Sequence, residues 1–271
     1  MKFYTNLAML CFALILSPVS QRAIAVDSPS ATAILEASGV KGGLVVHIGC
    51  GDGKLTSALR AGDSYLVHGL DDDPKNVASA RKYIKGKGQY GQVFVEQLTG
   101  NRLPHIDNSV NLVVSADLGG ISSGEVMRVL SPGGIAYIQS NGQWTKREKP
   151  RPKAIDEWTH YLHDPSNNAV ANDSVIEPPS RYQWLAGPRY SRQHDHMSSV
   201  SAVVSANGRL FYIFDEAPRA SIIIPPKWSL IGRDAFNGKK LWQREIKIWH
   251  QHLWRLKSGP QLLARRLVAE G

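Results

Sequence analysis

The chain is poor in cysteine, since Cys11 and Cys50 are the only two among its 271 residues. Cys11 lies in the apolar run 7–16, so a chain that loses this run keeps one cysteine and forms no internal disulfide. That run is also too short to cross a membrane, and no later stretch approaches the ~20 apolar residues that a spanning helix needs. The sequence therefore predicts neither a disulfide-stabilised fold nor a stable membrane span.

The amino terminus has the order of a secretory signal. Lys2 precedes the apolar run 7–16, and a small-residue site, Ala-Ile-Ala at 23–25, follows it. We expect residues 1–25 to be a signal peptide and the mature chain to begin near Val26. The protein is then exported to the periplasm or the extracellular space. A membrane anchor that is left uncleaved is the alternative.

The sequence also lacks an extended, uninterrupted cluster of positive charge. The formal net charge is +9, but the lysines and arginines are scattered along the chain, so we expect no nucleic-acid binding. The densest basic cluster, at 146–153, is interrupted by Pro150 and Pro152 and is interpreted as a solvated linker. A composition of 42% hydrophobic and 20% charged residues is typical of a folded globular protein.

Residues 45–56, VVHIGCGDGKLT, predict a buried strand, a glycine-rich turn and a helix. Glycines let a ligand approach the main chain closely, and they adopt positive φ without strain. A dinucleotide fingerprint would need a third glycine where the chain has Lys54, and a P-loop would need Ser or Thr where it has Leu55. The spacing therefore predicts a ligand cradle that is not a nucleotide-phosphate site.

Strands alternate with helices on both sides of this turn. We expect strands at 44–48, 65–70, 92–98, 110–115 and 135–139, and helices at 31–38, 54–61, 74–84 and 123–130. This alternation predicts an α/β fold with a parallel sheet and helices on both faces. Ligands of such sheets bind beyond the carboxyl ends of the strands, and the glycine turn lies at that edge.

The spacing G-x-G-x-G after an apolar strand resembles the first motif of class I S-adenosylmethionine (SAM) dependent methyltransferases of the type 11-like group. The resemblance covers about residues 44–139. Asp71 matches the acid that ends the second strand, and the stretches 103–114 and 130–134 resemble those that lead into the fourth and fifth strands. The resemblance implies a Rossmann-like methyltransferase sandwich that uses SAM as its cofactor and transfers the methyl group to an acceptor. That acceptor is not identified by the sequence.

The same resemblance implies which residues bind the cofactor. They belong to the glycine turn and to the ends of the second and third strands: Gly49, Cys50, Gly51, Gly53, Asp71 and Thr99. In this family the acid at the position of Asp71 holds the ribose hydroxyls. The catalytic residue stays unassigned, because methyl transfer depends mainly on holding a nucleophile in line with the sulfonium methyl group.

Three positions depart from the family pattern. His47 stands where an acidic residue usually helps to hold the methionine end of SAM, and Thr99 stands where an aspartate commonly contacts the adenine. Asn111 replaces another usual aspartate. SAM is also made in the cytoplasm, away from an exported protein. A degenerate fold that serves as a non-catalytic scaffold or binding module is therefore the alternative.

The composition changes near residue 143. We expect a SAM-methyltransferase-like domain at 30–143, a linker at 144–155 and a second region at 156–271. In the second region, aromatic residues and prolines dominate and strands are expected at 201–204, 210–214, 228–233 and 240–245.

Residues 234–242 resemble the blade repeat of quinoprotein (PQQ-like) β-propellers, with an Asn237-Gly238 turn and a closing Trp242. A propeller needs at least four blades, and the chain holds about one. We therefore expect an incomplete propeller region, and the resemblance keeps open a fragment of a quinoprotein-like oxidoreductase.

Histidines of the second region come in closely spaced pairs: His160 with His163, His194 with His196, and His250 with His252. Two histidines at i and i+2 on a strand point to one face and could share a metal ion. The alternative is polar packing of loops beside tryptophans. We favour packing and predict no metal site, because no H-E-x-x-H motif or cysteine pair supports one.

Overall fold

The computed structural model describes residues 29–175, 178–187, 199–218, 224–247, 249 and 261–271. The expected signal peptide and two of the histidine pairs lie outside the described residues, so export stays a prediction. Among the described residues, no helix combines the length and the apolar character that crossing a membrane would require.

The described residues form four α-helices, ten strands and a 3-10 helix. The helices are α1 (Ala31–Ser38), α2 (Lys54–Ala58), α3 (Pro74–Gly86) and α4 (Ser123–Val129). The first six strands are β1 (Gly43–Ile48), β2 (Tyr65–Asp71), β3 (Val93–Gln97), β4 (Val110–Ser115), β5 (Leu130–Ser140) and β6 (Gln143–Glu148). The last four are β7 (Val200–Ala206), β8 (Arg209–Asp215), β9 (Trp228–Asp234) and β10 (Lys240–Ile246), and the 3-10 helix is Gln261–Arg266.

The first six strands form one sheet in the order β3-β2-β1-β4-β5-β6. Strands β1 to β5 are parallel, which confirms the expected α/β fold. β1 and β4 are neighbours, and the chain proceeds outward from them in opposite directions. This switch point opens a crevice at the carboxyl end of β1, where the glycine turn begins.

Helices cover both faces of this sheet. On one face, apolar residues of α1 and α3 such as Ile34, Val77 and Ala80 pack with Val45 of β1. On the other face, α4 contributes residues such as Val126. The spacing of three and four residues between buried positions of α3 is what an amphipathic helix requires.

Strand β6 corrects the expected linker at 144–155 and makes the sheet mixed instead of wholly parallel. Gln143–Glu148 pairs antiparallel with β5 after a tight Asn141-Gly142 turn in which both residues have positive φ. The Trp144 ring stacks on Tyr137 at 5.2 Å between centroids. The polar composition of β6 is that of an edge strand, whose charged side chains face solvent. The division into domains at 30–143 and 156–271 stays a prediction.

Two other bounds differ from expectation by three residues or more. β5 begins at Leu130, five residues early, because the 130–134 stretch forms an irregular start of the strand where Gly133 has φ 77°. α2 ends at Ala58 instead of residue 61.

The last four strands form a second, antiparallel sheet in the order β10-β9-β8-β7. The strands expected at 201–204, 210–214, 228–233 and 240–245 are each present within two residues. The sheet is an up-and-down meander, as a single blade would be, while a propeller ring stays a prediction.

The turn 234–238 after β9 contacts the amino edge of the first sheet. Asn237 Nδ2 donates hydrogen bonds of 2.8 Å to the carbonyl of Ser109 and to Oδ1 of Asn111. Asn111 in turn donates to the Asp234 carboxylate. The second sheet is therefore attached to the first at the edge opposite the glycine turn.

Candidate functional site

The glycine turn has a backbone that other residues would strain. Gly49, Gly51 and Gly53 have φ values of 74°, 54° and 79°. L-residues rarely adopt this left-handed region, because Cβ approaches the carbonyl oxygen. The conformation alone therefore favours glycine at all three positions.

The three glycines differ in what surrounds them. A Cβ placed on Gly53 would lie 2.8 Å from Cβ of Ala80, so this glycine lets α3 pack closely against the turn. A Cβ placed on Gly49 or Gly51 would meet no atom within 4 Å. Gly49 and Gly51 therefore border open space, which is the part of the turn that a ligand can approach.

Main-chain N–H groups of the turn are already used within the protein. Gly49 and Cys50 donate to the carbonyl of Leu70 at 2.8 and 3.1 Å, and Gly53 donates to the carbonyl of Cys50. A phosphate cradle depends on free N–H groups that point at the anion. The hydrogen bonding therefore agrees with the exclusion of a nucleotide-phosphate site.

Asp71 lies beside the turn, at the carboxyl end of β2. Its Oδ2 accepts from the N–H of Gly51 at 2.8 Å, and its Oδ1 accepts from the N–H of Asp73 at 3.1 Å and from Asn76 Nδ2 at 3.0 Å. The residue is 4% exposed. The structure thus brings the predicted ribose-binding acid to the glycine turn and holds it there with three donors.

Cys50 contributes no side chain to the open space. Its thiol lies in the apolar core on the α3 side of the sheet. Burial, with the nearby charge of Asp71, raises the pKa of the thiol to about 12, so it is protonated at neutral pH. Only its main chain lies at the turn.

Thr99 is exposed and lies at the same edge of the sheet. The N–H of Leu98 donates to the carbonyl of Asp71 at 2.8 Å, which ties the loop after β3 to the end of β2. All six predicted cofactor-binding residues thus lie at or beside the carboxyl edge.

His47 faces α2. Its Nδ1 pairs with Oγ1 of Thr56 at 2.8 Å, and both residues are buried. Burial lowers the pKa of His47 to about 4, although the charge of Asp71 opposes this. His47 is therefore neutral at pH 7 and offers no carboxylate to a cationic ligand.

Asn111 is not part of this site. It lies in β4 near the amino edge, where its Oδ1 accepts from the N–H of Leu44 at 2.8 Å. Of the paired histidines, His160 and His163 lie within the described residues, and their printed partners are not residues of this site. His163 Nε2 pairs with Asp156 at 2.6 Å, His160 Nδ1 pairs with the Thr159 hydroxyl, and no group of three or more His, Cys, Asp or Glu side chains in the described residues could hold a metal ion.

Two contacts of the site were missed by sequence reasoning. Asn76 contacts Asp71, and Thr56 contacts His47. Thr56 offers a signal in hindsight, because it occupies a core-facing position of a helix where an apolar residue is usual. Asn76 offers none, because a polar residue in the first turn of a helix is ordinary.

Residues 45–134, less than half of the chain, match the family model described as a methyltransferase domain. This match supports a methyltransferase domain over these residues and SAM as its cofactor. No curated protein matches the chain significantly.

Three solved structures illustrate the similarity. A proposed SAM-dependent methyltransferase of Methanococcus maripaludis is 26% identical, with 42% of this chain and 55% of that chain covered and a TM-score of 0.38. The YcgJ protein of Bacillus subtilis is 23% identical, with 40% and 48% covered and a TM-score of 0.35. A SAM-dependent methyltransferase of Aquifex aeolicus is 23% identical, with 40% and 62% covered and a TM-score of 0.34. The chain spans about half the length of these proteins.

Proposed function

We propose that the chain binds SAM at the glycine turn and transfers its methyl group to an acceptor that is still unidentified. The observation that carries the proposal is the open space beside Gly49 and Gly51, together with the Asp71 carboxylate that accepts from the N–H of Gly51. Gly49, Gly51 and Asp71 all lie within residues 45–134, which match the family model described as a methyltransferase domain.

Each predicted residue has a distinct part in this proposal. Gly49 and Gly51 leave room for the ligand to lie across the end of β1, and Asp71 accepts a ribose hydroxyl because a carboxylate is an acceptor without donors. Thr99, exposed in the loop after β3, would border the adenine. Bound SAM would supply an electrophilic methyl group, and its transfer to an acceptor's lone pair would leave the electrons of the broken carbon–sulfur bond on sulfur. The chain contributes orientation and proximity.

The position that usually holds the methionine end of SAM with an acidic residue is occupied by His47 in this chain. His47 is neutral and hydrogen-bonded to Thr56, so it does not attract the positive charge of the ligand. This observation favours the second candidate function, a non-catalytic scaffold or binding module, because weak cofactor binding would prevent turnover.

Isothermal calorimetry with SAM and with its demethylated product tests the first proposal. We expect saturable heat from the full chain and none from Gly51→Val, whose side chain would fill the open space. Gly88→Val is the matched control, because Gly88 also has positive φ (68°) and open space around it but lies at the far end of α3. If the wild-type chain gives no heat at millimolar ligand, the enzyme proposal is wrong and the scaffold remains.

We also propose that the protein is exported after cleavage near residue 25, and that the second sheet is one blade of a quinoprotein-like propeller. The signal-like order of residues 2–25 supports the first statement, and the four-stranded meander supports the second. Amino-terminal sequencing of the secreted protein tests export. An oxidoreductase function of a longer protein would require bound quinone, which mass spectrometry of that protein would detect.

A further inference from the structure

A second cavity lies apart from the glycine turn, between the loop 102–108 that follows β3 and the segment 181–183. Its volume is about 730 Å³, which is within the range of small-molecule sites in proteins. Gln183 Nε2 donates a hydrogen bond of 3.1 Å to the carbonyl of Asp107, and this contact joins the two walls. None of the described residues that line the cavity belongs to the glycine turn, so the cavity is separate from the proposed SAM site.

Three arginines line this cavity, and they differ in whether their charge is balanced. The Arg128 guanidinium donates to Oδ1 of Asp107 at 2.6 Å and to the two carboxylate oxygens of Glu125 at 2.8 and 2.7 Å. Arg102 and Arg181 are exposed, and neither forms an ion pair with another described residue. The cavity therefore offers two guanidinium groups, unpaired within the described part of the chain, to a negatively charged ligand.

The other ionisable residues of the cavity do not cancel this charge. Asp107, the one carboxylate among its described lining residues, is already paired with Arg128. Burial, with a smaller contribution from the charge of Arg128, lowers the pKa of His105 to about 4, so this ring is neutral at pH 7. The lining therefore carries a net positive charge, which attracts an anion and repels a cation.

The same cavity exposes apolar and aromatic side chains. Tyr182 is 84% exposed and Ile106 is 52% exposed, and both line the cavity beside the buried Leu103. A ligand that covers them removes apolar surface from water, which favours binding. Unpaired positive charge next to exposed aromatic surface therefore suits an anion that carries an apolar group.

We propose that this cavity binds a small organic anion, a carboxylate or a phosphate monoester with an aromatic group. Arg102 and Arg181 contact the anionic oxygens, for which guanidinium groups provide paired N–H donors. Tyr182 and Ile106 contact the aromatic part. The inference goes beyond methyl transfer and does not depend on SAM binding, because the cavity shares no described residue with the glycine turn.

Calorimetry on the full chain tests the proposal with phenyl phosphate, benzoate, inorganic phosphate and benzyl alcohol. We expect saturable heat from phenyl phosphate and from benzoate, and the tighter of the two identifies the preferred anionic group. Inorganic phosphate lacks the apolar part, and benzyl alcohol lacks the charge. Each of these two should therefore bind at least about tenfold more weakly than phenyl phosphate.

Substitutions assign the binding to the cavity. Arg102→Gln and Arg181→Gln should each weaken phenyl phosphate binding about tenfold, because each removes charge-assisted hydrogen bonds. Arg147→Gln is the matched control, because it removes the same charge from an exposed position of β6 outside the cavity, and it should bind phenyl phosphate as the wild type does. Tyr182→Ala should weaken phenyl phosphate binding but leave that of inorganic phosphate unchanged.

Three results would overturn the proposal. The first is the absence of saturable heat from both phenyl phosphate and benzoate with the wild-type chain. The second is that Arg147→Gln binds phenyl phosphate as well as, or as poorly as, the two cavity variants, which would indicate general attraction to a chain of net charge +9. The third is that inorganic phosphate or benzyl alcohol binds the wild type as tightly as phenyl phosphate. The comparison of ligands on the wild type decides the question even if a variant does not fold.

Discussion

Asn111 in β4 donates a hydrogen bond of 2.6 Å from Nδ2 to Oδ2 of Asp234, at the end of β9. The same side chain accepts from the N–H of Leu44 in β1 and from Asn237 Nδ2. Asparagine offers both a donor and an acceptor, and an aspartate has no donor to offer Asp234. The departure from the family pattern at this position is therefore explained by the attachment of the second sheet.

The first prediction concerns this attachment. Asn111→Asp places two carboxylates together where Asp234 is buried, and burial already raises the pKa of Asp234. We expect the free energy of unfolding to fall by about 2–4 kcal/mol at pH 8, and by less at pH 5, where the pair can share a proton. Denaturant titration at both pH values measures this. Asn101→Asp, in an exposed loop, is the control, and equal stability of Asn111→Asp and wild type at pH 8 would contradict the prediction.

A second prediction separates packing from backbone conformation in the glycine turn. Gly53→Ala should lower the free energy of unfolding by about 2–4 kcal/mol, because it adds a clash with Ala80 to the strain of positive φ. Gly88→Ala shares the positive φ without the clash and should cost about 1 kcal/mol. Urea unfolding of both variants checks the difference, and similar losses would show that Ala80 moves aside at little cost.

The third prediction is a loss of stability in acid. Burial lowers the pKa of His68 to about 3 and of His105 to about 4, and each also lies near a group that opposes its charge, His105 beside His68 and Arg128 beside His105. The unfolded chain, with histidine pKa values near 6.5, binds protons that the folded chain does not. Stability is therefore fully present above pH 6.5 and is lost as the pH falls toward 4 for His105 and toward 3 for His68, by about 3 kcal/mol per histidine at pH 4.

Unfolding measured between pH 7 and pH 4 checks this acid sensitivity. The double variant His68→Asn, His105→Asn should show a shallower dependence, although His47 keeps a part of it because its pKa is lowered in the same direction. Glu96, whose carboxylate lies 3.5 Å from Nε2 of His68, favours the protonated form and limits the effect. An unchanged slope in the double variant would assign the acid sensitivity to other groups.

A fourth prediction concerns the segment after β6. Lys149 Nζ donates to Oδ1 of Asn108 and to the carbonyl of Leu130, both at 2.7 Å. Lys149→Met leaves these acceptors without their donor and should lower the free energy of unfolding by about 1–2 kcal/mol. Lys153→Met, at an exposed position in the same basic cluster, should change it by less than about 0.5 kcal/mol. If both variants change the free energy of unfolding equally, the prediction is wrong, and the basic cluster 146–153 behaves as the solvated linker that its composition indicates.

Local patterns were sufficient for most of the first sheet. The apolar runs of β1, β2 and β4 and the Asp73 cap before Pro74 are visible in the sequence and present in the structure. The sequence analysis missed β6 because the charged residues and prolines of this segment indicate a linker. The Asn141-Gly142 dipeptide before it is nevertheless a strong signal for a hairpin. An edge strand needs few apolar residues, so its composition resembles that of a loop.

The sequence by itself determined that the central strands are parallel, where the glycines of the turn lie and which acid ends β2, because these depend on residue type and on neighbours along the chain. Only the tertiary structure decided which glycines border open space, that Asn76 donates to Asp71, and that Asn111 joins the first sheet to Asp234 of the second. Those properties depend on contacts between residues far apart in the chain, such as Gly53 with Ala80 and Asn111 with Asp234. A one-dimensional pattern does not specify such contacts.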